Sequence, residues 1–175
     1  MNNPLDPIMA WHELASQSLQ ITFRAIDQNI PNAIPPRSIF FEKPASASRD
    51  QIEAATSQID DLVVLSLVST FERSIREALT AMPRLASLPS TGDSIDARLR
   101  NKLVAALEYW RLSDEVLPIY AAQVDRNLVG QVKQAIDYRN WVAHGRSIDR
   151  PPGVNVTPQY AYRTLTAFLG QAGLL

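Results

Sequence analysis

An arginine, an amide and an imidazole lie within six residues of one another in the segment from Tyr138 to Gly145. They are Arg139, Asn140 and His144, and His144 is one of only two histidines in the chain. A planar guanidinium suits the oxygens of a phosphate, and an imidazole exchanges protons near neutral pH. Side chains of these types at this spacing could bind a phosphate diester and move its protons.

The helical period places these side chains on two faces of the helix that is expected to carry them. At about 100° per residue, Arg139 continues an apolar stripe, whereas Asn140 and His144 share the adjacent stripe with Ile136. The apolar stripe consists of Leu128, Val132 and Ala135. Arg139 and His144 therefore lie about 140° apart around the helix, and one helix does not easily aim both at the same atom.

Two copies of the chain related by a twofold axis would bring the two groups together. Each copy would contribute Arg139, Asn140 and His144 to a shared cleft along the interface. The spacing therefore predicts a homodimer.

The composition predicts one globular domain over residues 1–175, since 46% of the 175 residues are hydrophobic. The absence of cysteine excludes thiol nucleophiles, disulfides and thiolate metal sites, and we expect neither a metal nor a cofactor. A net charge of -1 argues against a broad surface for duplex DNA, although a local basic site can still act on RNA.

The longest apolar run, residues 62–68, is too short to span a bilayer. The first residues, MNNPLDPIMAWHEL, lack the pattern of a signal peptide. We therefore expect a soluble cytoplasmic protein with no membrane partner.

The first helix is expected to begin with Asp6 as its N-cap and Pro7 at its first position, and to stop before Pro31. Residues 31–47 then form a proline-rich strap, in which residues 39–41 are expected to pack. The predicted apolar stripe of the helix is Ile8, Trp11, Ala15, Leu19, Phe23, Ile26 and Ile30.

The second helix is predicted to be the central one. Ser48 and Gln51 form an S-x-x-Q capping box, and the helix is expected to reach about Met82, where Pro83 ends it. Its middle, residues 62–68, is apolar nearly all round, so neighbours should cover most of it.

Three further helical regions follow. The next has a predicted apolar face formed by Ile95, Leu99, Leu103, Leu107 and Trp110. Another region begins at Ser113, is interrupted or offset near Pro118 and Gly130, and ends where Gly145 supplies a left-handed residue, which places His144 at a helix C-terminus. Thr157 caps the last helix, with Pro158 at its first position. The buried stripe of that helix is predicted to be Ala161, Leu165, Phe168 and Ala172.

The predicted fold class is all-α, because these segments show helical periodicity and no β-hairpin signal occurs. We expect an antiparallel bundle of about four core helices plus an N-terminal helix. Residues 1–47 would supply the N-terminal helix and the strap, and residues 48–175 the core.

The motif Arg139-Asn140-x-x-x-His144 resembles the R-x(4)-H signature of the HEPN superfamily of helical nucleases. As in that signature, a polar residue directly follows the arginine and a glycine, Gly145, follows the histidine. Residues 62–79, an apolar run that leads into Phe71-Glu72-Arg73, are also similar to a core pattern of such domains. The resemblance covers residues 48–175.

This resemblance implies a metal-independent endoribonuclease of the small stand-alone toxin or phage-defence type. Arg139 would stabilise the charge that builds on phosphorus, and His144 would exchange a proton with the RNA 2′-hydroxyl or the leaving oxygen. Asn140 would orient His144 or a phosphate oxygen. The implied partners are an RNA substrate, a second copy of the chain and an antitoxin such as a nucleotidyltransferase-like protein.

Each residue also has a structural interpretation. His144 could hydrogen-bond the last carbonyls of its helix, and Asn140 could have a structural role. Arg139 could form an ion pair with Asp137, Glu72 or Asp149. If the partner is Glu72, that carboxylate could brace Arg139 across the bundle.

The neighbouring residues leave two interpretations open as well. Tyr138 and Trp141 could stack on bases, but packing is favoured. Arg146 could contact phosphate, although a solvated loop charge is favoured. His12 has no second ligand at metal spacing and is predicted to be a surface or half-buried residue.

Two other functions fit the same residues. One is a helical dimerisation or protein-binding module that cuts nothing. The other is an accessory protein whose Arg-Asn-His cluster binds a nucleotide or another anion.

Overall fold

The computed structural model describes residues 2–30, 33–41, 43–149 and 151–175. Over these residues the fold is all-α, with six α-helices and no strand, which confirms the predicted class. The helices are α1 (Asp6–Asp27), α2 (Ala45–Thr80), α3 (Pro83–Ala86), α4 (Ile95–Leu107), α5 (Arg126–Ala143) and α6 (Pro158–Gln171). None of these helices combines the length and the apolar composition needed to cross a lipid bilayer.

The central position of α2 agrees with its apolar middle. It packs against α1, α5 and α6, and α5 also packs against α6. Neighbours cover the middle of α2 on most sides, but Leu62 is 55% exposed, so one strip of the helix stays open to solvent. The buried hydrophobic side chains of α2 are Ile52, Val63, Val64, Leu67, Val68, Phe71, Ile75 and Leu79.

An aromatic cluster lies where α2 meets α6. Phe71 and Phe168 are fully buried and meet edge to face, with ring centroids 5.3 Å apart and planes at 81°. Tyr120 also packs against Phe168, with the centroids 5.8 Å apart. Burial of one such ring stabilises the folded state by about 2–3 kcal/mol, so these contacts hold α6 on α2.

Both ends of α1 differ from the sequence prediction. Its N-cap is Leu5, and Asp6 is the first helical residue, where it accepts a hydrogen bond from the Tyr162 hydroxyl at 2.7 Å. Leu5 is fully buried and therefore determines where the chain enters the helix. Asn29, with a φ of 47°, follows the other end, and Pro31, the predicted stop, lies outside the described residues.

The stripe predicted for α1 is wrong in part. Trp11 is 50% exposed, whereas Met9 and His12 are the buried residues of the helix. The reason is that α1 packs mainly against α2, which covers only a narrow strip of its surface. In the described part of the strap, Ile39 is exposed and Phe40 is half-buried, so the expected packing of this segment applies only in part.

α2 begins three residues before the predicted capping box. Pro44 is the N-cap, and the fixed φ of proline prepares the chain for the helix. Ser48 lies inside the helix and is buried, and its hydroxyl has no hydrogen-bond partner among the described residues. α2 ends two residues before Met82, and Pro83 begins the short helix α3.

The apolar face predicted for α4 is wrong over most of its length. Ile95, Leu99 and Leu103 are 84%, 50% and 37% exposed, while Leu107 is buried. No other described helix packs extensively over that face, so of its α4 residues only Leu107, in the last turn, joins the core. Ser94 caps the helix, and its hydroxyl accepts from the backbone N–H of Ala97 at 3.1 Å.

Ser113 lies in a π-helical turn, Leu112–Val116, rather than in an α-helix, and a 3-10 turn follows at Leu117–Tyr120, so the region is interrupted near Pro118 as predicted. α5 begins later because Asp125 caps it, and its carboxylate accepts from two backbone N–H groups of the first turn at 2.8 and 3.2 Å. The predicted apolar stripe of α5 is buried: its members are Leu128, Val132 and Ala135.

The prediction for α6 is confirmed. Thr157 caps the helix, and its hydroxyl accepts from the backbone N–H of Tyr160 at 3.2 Å, with Pro158 in the first turn. The predicted stripe faces the core, with Ala161, Leu165 and Phe168 buried and Ala172 half-buried.

Candidate functional site

The C-terminal end of α5 is closed by a Schellman motif. The N–H of Gly145 donates to the carbonyl of Val142 at 3.0 Å, and the N–H of Arg146 donates to that of Trp141 at 2.9 Å. Gly145 has a φ of 78°, which confirms its predicted left-handed conformation. His144 is the C-cap residue and therefore lies at the end of the helix, as the sequence indicates.

Arg139 ends the buried stripe of α5 and contacts α2. Its Nη2 donates to Oε2 of Glu72 at 2.9 Å, so Glu72 is the partner among the three carboxylates considered from the sequence. Both side chains are 24% exposed. The arginine on an otherwise apolar stripe is thus matched by an acid on the neighbouring helix, because a half-buried charge needs a partner.

Glu72 also binds a second arginine. Arg76, one turn further along α2, donates from Nη2 to Oε1 of Glu72 at 2.6 Å. The same guanidinium donates to the carbonyl of Trp110 at 2.7 Å and to that of Leu107. Arg76 therefore satisfies carbonyls at the end of α4, and the carboxylate of Glu72 is fixed from two sides.

Asn140 and His144 face solvent. Among the described residues, neither side chain makes a hydrogen bond, so His144 does not bind the last carbonyls of its helix and Asn140 does not bond to it. The structure separates Arg139, which is directed to α2, from these two exposed groups. A single chain does not bring the three side chains into one cluster.

A second cluster, which the sequence reasoning missed, surrounds Asp61 of α2. Asp61 is buried and accepts from the hydroxyl of Tyr138 at 2.9 Å through one oxygen and from the guanidinium of Arg146 through the other. The guanidinium of Arg146 also lies over the ring of Trp141, 5.4 Å from its centroid. Trp141 donates from Nε1 to the carbonyl of Ser147 at 2.8 Å.

These contacts give Tyr138 and Arg146 partners within the chain. Tyr138 is 6% exposed, so little of its ring is accessible to a substrate. Burial raises the pKa of Tyr138, and its hydrogen bond to Asp61 raises it further. The hydrogen bond to Asp61 raises the pKa of Arg146. At neutral pH the cluster therefore contains a neutral phenol and a charged guanidinium.

A sequence signal for Asp61 does exist. It precedes Val64 and Val68 by three and seven residues, so all three share one helix face. An acid on such a buried face requires donors from another element. Which donors these are depends on how α5 lies against α2.

An open cavity of about 670 Å³ lies beside this cluster. The acidic residues that line the cavity belong to α2 and include Asp60, whose Oδ1 is 2.7 Å from Nε2 of His12. His12 itself is buried. The prediction that it is a surface or half-buried residue is therefore wrong, because the packing of α1 on α2 covers it. The lining of the cavity also includes Trp141, Pro151, Pro152, Val156 and Pro158.

The end of α5 thus carries the guanidinium of Arg139, which Glu72 binds, together with the exposed amide of Asn140 and the exposed imidazole of His144. No group of three or more His, Asp and Glu side chains in the described ranges is arranged to hold a metal ion.

No family model, no curated protein and no solved structure matches this chain.

Proposed function

We propose that this protein is a metal-independent endoribonuclease of the HEPN type that acts as a homodimer. The observation that carries the proposal is the arrangement of Arg139 and His144 on α5. Arg139 is held by Glu72 at the end of the buried stripe, whereas His144 ends the same helix with an exposed imidazole that is not hydrogen-bonded to any described residue. Two copies of this arrangement across a twofold axis would supply both groups to one phosphate.

The charge balance around Arg139 supports a role in binding phosphate. Arg139 and Arg76 share the single carboxylate of Glu72, which leaves a surplus of one positive charge in this cluster. Since the side chains are about a quarter exposed or less, solvent screens that charge less than it would at an open surface. A fixed, partly shielded guanidinium can stabilise charge in a transition state without reorganisation.

In the proposed reaction, His144 accepts the proton of the RNA 2′-hydroxyl. The 2′-oxygen attacks phosphorus, the bond from phosphorus to the 5′-oxygen breaks, and an imidazolium or water supplies the proton to that oxygen. Arg139 stabilises the charge on the phosphoryl oxygens, and Asn140 orients the imidazole or a phosphate oxygen. The products are a 2′,3′-cyclic phosphate and a 5′-hydroxyl, and DNA is not cut because it lacks the nucleophile.

An RNA cleavage assay in EDTA tests the proposal. Wild-type protein should cleave RNA and leave 2′,3′-cyclic phosphate ends, and Arg139→Ala and His144→Ala should each lower the rate by about a hundredfold or more. Arg98→Ala is the matched control, since Arg98 is an exposed arginine of α4 whose partner among the described residues is Asp93. The proposal fails if wild-type protein leaves diverse RNAs intact, or if the two variants cleave as fast as the control.

The same proposal includes a role as a toxin or phage-defence nuclease in the cytoplasm, restrained by an antitoxin such as a nucleotidyltransferase-like protein. A small nuclease with an exposed imidazole needs such restraint when its substrate surrounds it. Expression of the wild-type chain alone should arrest bacterial growth, and expression of His144→Ala should not. Equal growth of the two strains would contradict this role.

One observation favours a second candidate function, a module that binds another protein. Leu99 and Leu103 of α4 are exposed beside an apolar groove of about 370 Å³, and exposed apolar patches of this kind are common at protein interfaces. The groove is lined by Leu79, Met82, Leu85, Leu88, Leu103, Leu107, Trp110 and Ile119. Cleavage of RNA by the wild-type protein would decide in favour of the nuclease.

A further inference from the structure

The residue that follows the helix end at Gly145 has an unusual environment. In a Schellman motif, the residue at the position of Arg146 commonly makes an apolar contact with the residue at the position of Trp141. Here the contact is a guanidinium over an indole ring, 5.4 Å from its centroid. A cation over an aromatic face is attracted by the ring electrons, so this pair closes the last turn of α5.

The same guanidinium connects the helix end to α2. Arg146 donates to one oxygen of Asp61, and Tyr138 donates to the other at 2.9 Å. Tyr138 precedes His144 in the chain and Arg146 follows it, so both sides of His144 are held by one buried carboxylate. A hydrogen bond from Trp141 to the carbonyl of Ser147 at 2.8 Å adds a third contact.

The backbone of Arg146 shows that these contacts work against a local preference. Its φ is 56°, in the left-handed region that residues other than glycine adopt infrequently. It follows Gly145, which is also left-handed with a φ of 78°. The loop is therefore held in this path by its side-chain contacts and by the helix-end hydrogen bonds.

We infer that Asp61, Trp141 and Arg146 form a clamp that positions His144. Arg146 is then a positioning residue that acts through the backbone on either side of the imidazole. Because the carboxylate of Asp61 belongs to α2, the clamp fixes His144 relative to the helix that also holds Arg139 through Glu72. The catalytic consequence of the clamp rests on the proposed function, whereas its structural consequence does not.

Solution NMR of the full chain tests the clamp directly. In Arg146→Ala, the backbone amides of residues 144–146, which donate the hydrogen bonds of the helix end, should exchange with solvent about tenfold faster, the change expected on loss of a charge-assisted hydrogen bond. The imidazole signals of His144 should change in line width as the helix end loosens. Arg146→Lys keeps a cation that reaches Asp61 and Trp141, so it should restore most of the protection. Arg98→Ala, which removes an exposed arginine of α4, should leave these amides unchanged.

Kinetics on RNA distinguish a positioning role from a substrate contact. In Arg146→Ala, kcat should fall about tenfold with KM unchanged, because a misplaced imidazole lowers only the chemical step. An increase in KM with kcat unchanged would instead make Arg146 a substrate contact and overturn the inference. Asp61→Asn, checked for folding by circular dichroism, should reproduce the loss of amide protection seen in Arg146→Ala.

The inference and the proposed function can fail separately. If amide exchange and the His144 signals are the same in Arg146→Ala as in wild type, the clamp does not exist, even if the protein cleaves RNA. If the wild-type protein cleaves nothing, the exchange measurements alone decide whether Asp61 and Arg146 hold the end of α5.

Discussion

Arg139 of α5 and Arg76 of α2 bind the same carboxylate, one through each oxygen of Glu72, at 2.9 and 2.6 Å. Arg76 also binds the carbonyl of Trp110, so the contact reaches the segment after α4. The guanidinium that the proposed reaction uses is thus fixed by an ion-pair network that joins the elements around it. Its separation from His144 on the same helix makes the proposed site depend on two chains.

Removal of the shared carboxylate should destabilise the fold. Glu72→Gln leaves two neighbouring guanidinium groups without a charged partner, and we expect a loss of about 1–2 kcal/mol in the free energy of unfolding. Urea unfolding measures this loss. Glu77→Gln is the matched control on the same helix, because Glu77 is exposed and lies 3.9 Å from its partner Arg73. If the two variants are equally stable, the network around Glu72 does not contribute to stability.

Arg139 and His144 lie on different faces of α5, so two inactivating substitutions in different chains should complement each other in a mixed dimer. A mixture of Arg139→Ala and His144→Ala chains should regain RNA cleavage, because a mixed dimer contains one intact Arg139 and one intact His144 in a shared cleft. Each variant alone should cleave RNA at least about a hundredfold more slowly than wild type. Cleavage by the mixture that is no greater than the sum of the two separate variants would show that the groups do not act across the interface.

Tyr120 offers a stabilising substitution. It is buried, and its hydroxyl has no hydrogen-bond partner among the described residues. Tyr120→Phe removes this unsatisfied group and keeps the ring contact with Phe168, so the free energy of unfolding should rise by about 1 kcal/mol. Thermal unfolding at pH 7 provides the measurement. A lower melting temperature for Tyr120→Phe would mean that the hydroxyl has a partner in solution.

The raised pKa of Tyr138 predicts a loss of stability in alkali. Its ordinary pKa is 10.0, and burial followed by the hydrogen bond to Asp61 raises it in the folded protein. As the pH rises past that ordinary value, the unfolded chain loses the proton before the folded chain does, so unfolding is favoured. The stabilising contribution is complete below about pH 10 and is lost as the pH rises through the folded pKa.

Urea unfolding at a series of alkaline pH values tests this dependence. Tyr138→Phe should be less stable at neutral pH, because Asp61 loses a donor, but its stability should fall less steeply above pH ~10. Tyr109→Phe serves as the control, since Tyr109 is 84% exposed. If Tyr138→Phe and Tyr109→Phe show the same slope, Tyr138 does not contribute to the alkaline loss.

The two ends of α4 should respond differently to truncation. Leu107 is 5% exposed, and Leu107→Ala should cost about 2–4 kcal/mol through lost burial and the cavity left behind. Leu99 is 50% exposed, and Leu99→Ala should cost less than about 1 kcal/mol. Chemical unfolding of both variants measures the difference. A large loss in Leu99→Ala would mean that another chain covers this face in solution.

Much of the helical framework follows from local patterns. Apolar residues at helical spacing predict the all-α class and the central position of α2, because an amphipathic stripe must be buried whatever covers it. Gly145 predicts the end of α5, since glycine adopts a left-handed conformation without steric cost. Helix boundaries are less well predicted where more than one residue can begin the helix. At the start of α2 the N-cap is Pro44, whereas the capping-box pattern predicts Ser48.

The pattern alone does not predict which stripes are covered. Leu99 and Leu103 have the spacing of a buried face but remain exposed, while His12 is buried although it is polar. The periodicity of a helix determines which residues share a face, but the neighbour that covers that face is set by the packing of the whole chain.

For the candidate site, the sequence by itself determined the residue types, the placement of Arg139 on a buried stripe and that of His144 at a helix end. Only the tertiary structure decided that Glu72 binds Arg139, and that Asp61 binds both Tyr138 and Arg146. The members of these three pairs are 67, 77 and 85 residues apart along the chain, respectively. Side chains so far apart in the sequence meet only because α2 and α5 pack against each other, and the spacing of residues within one helix does not predict that contact.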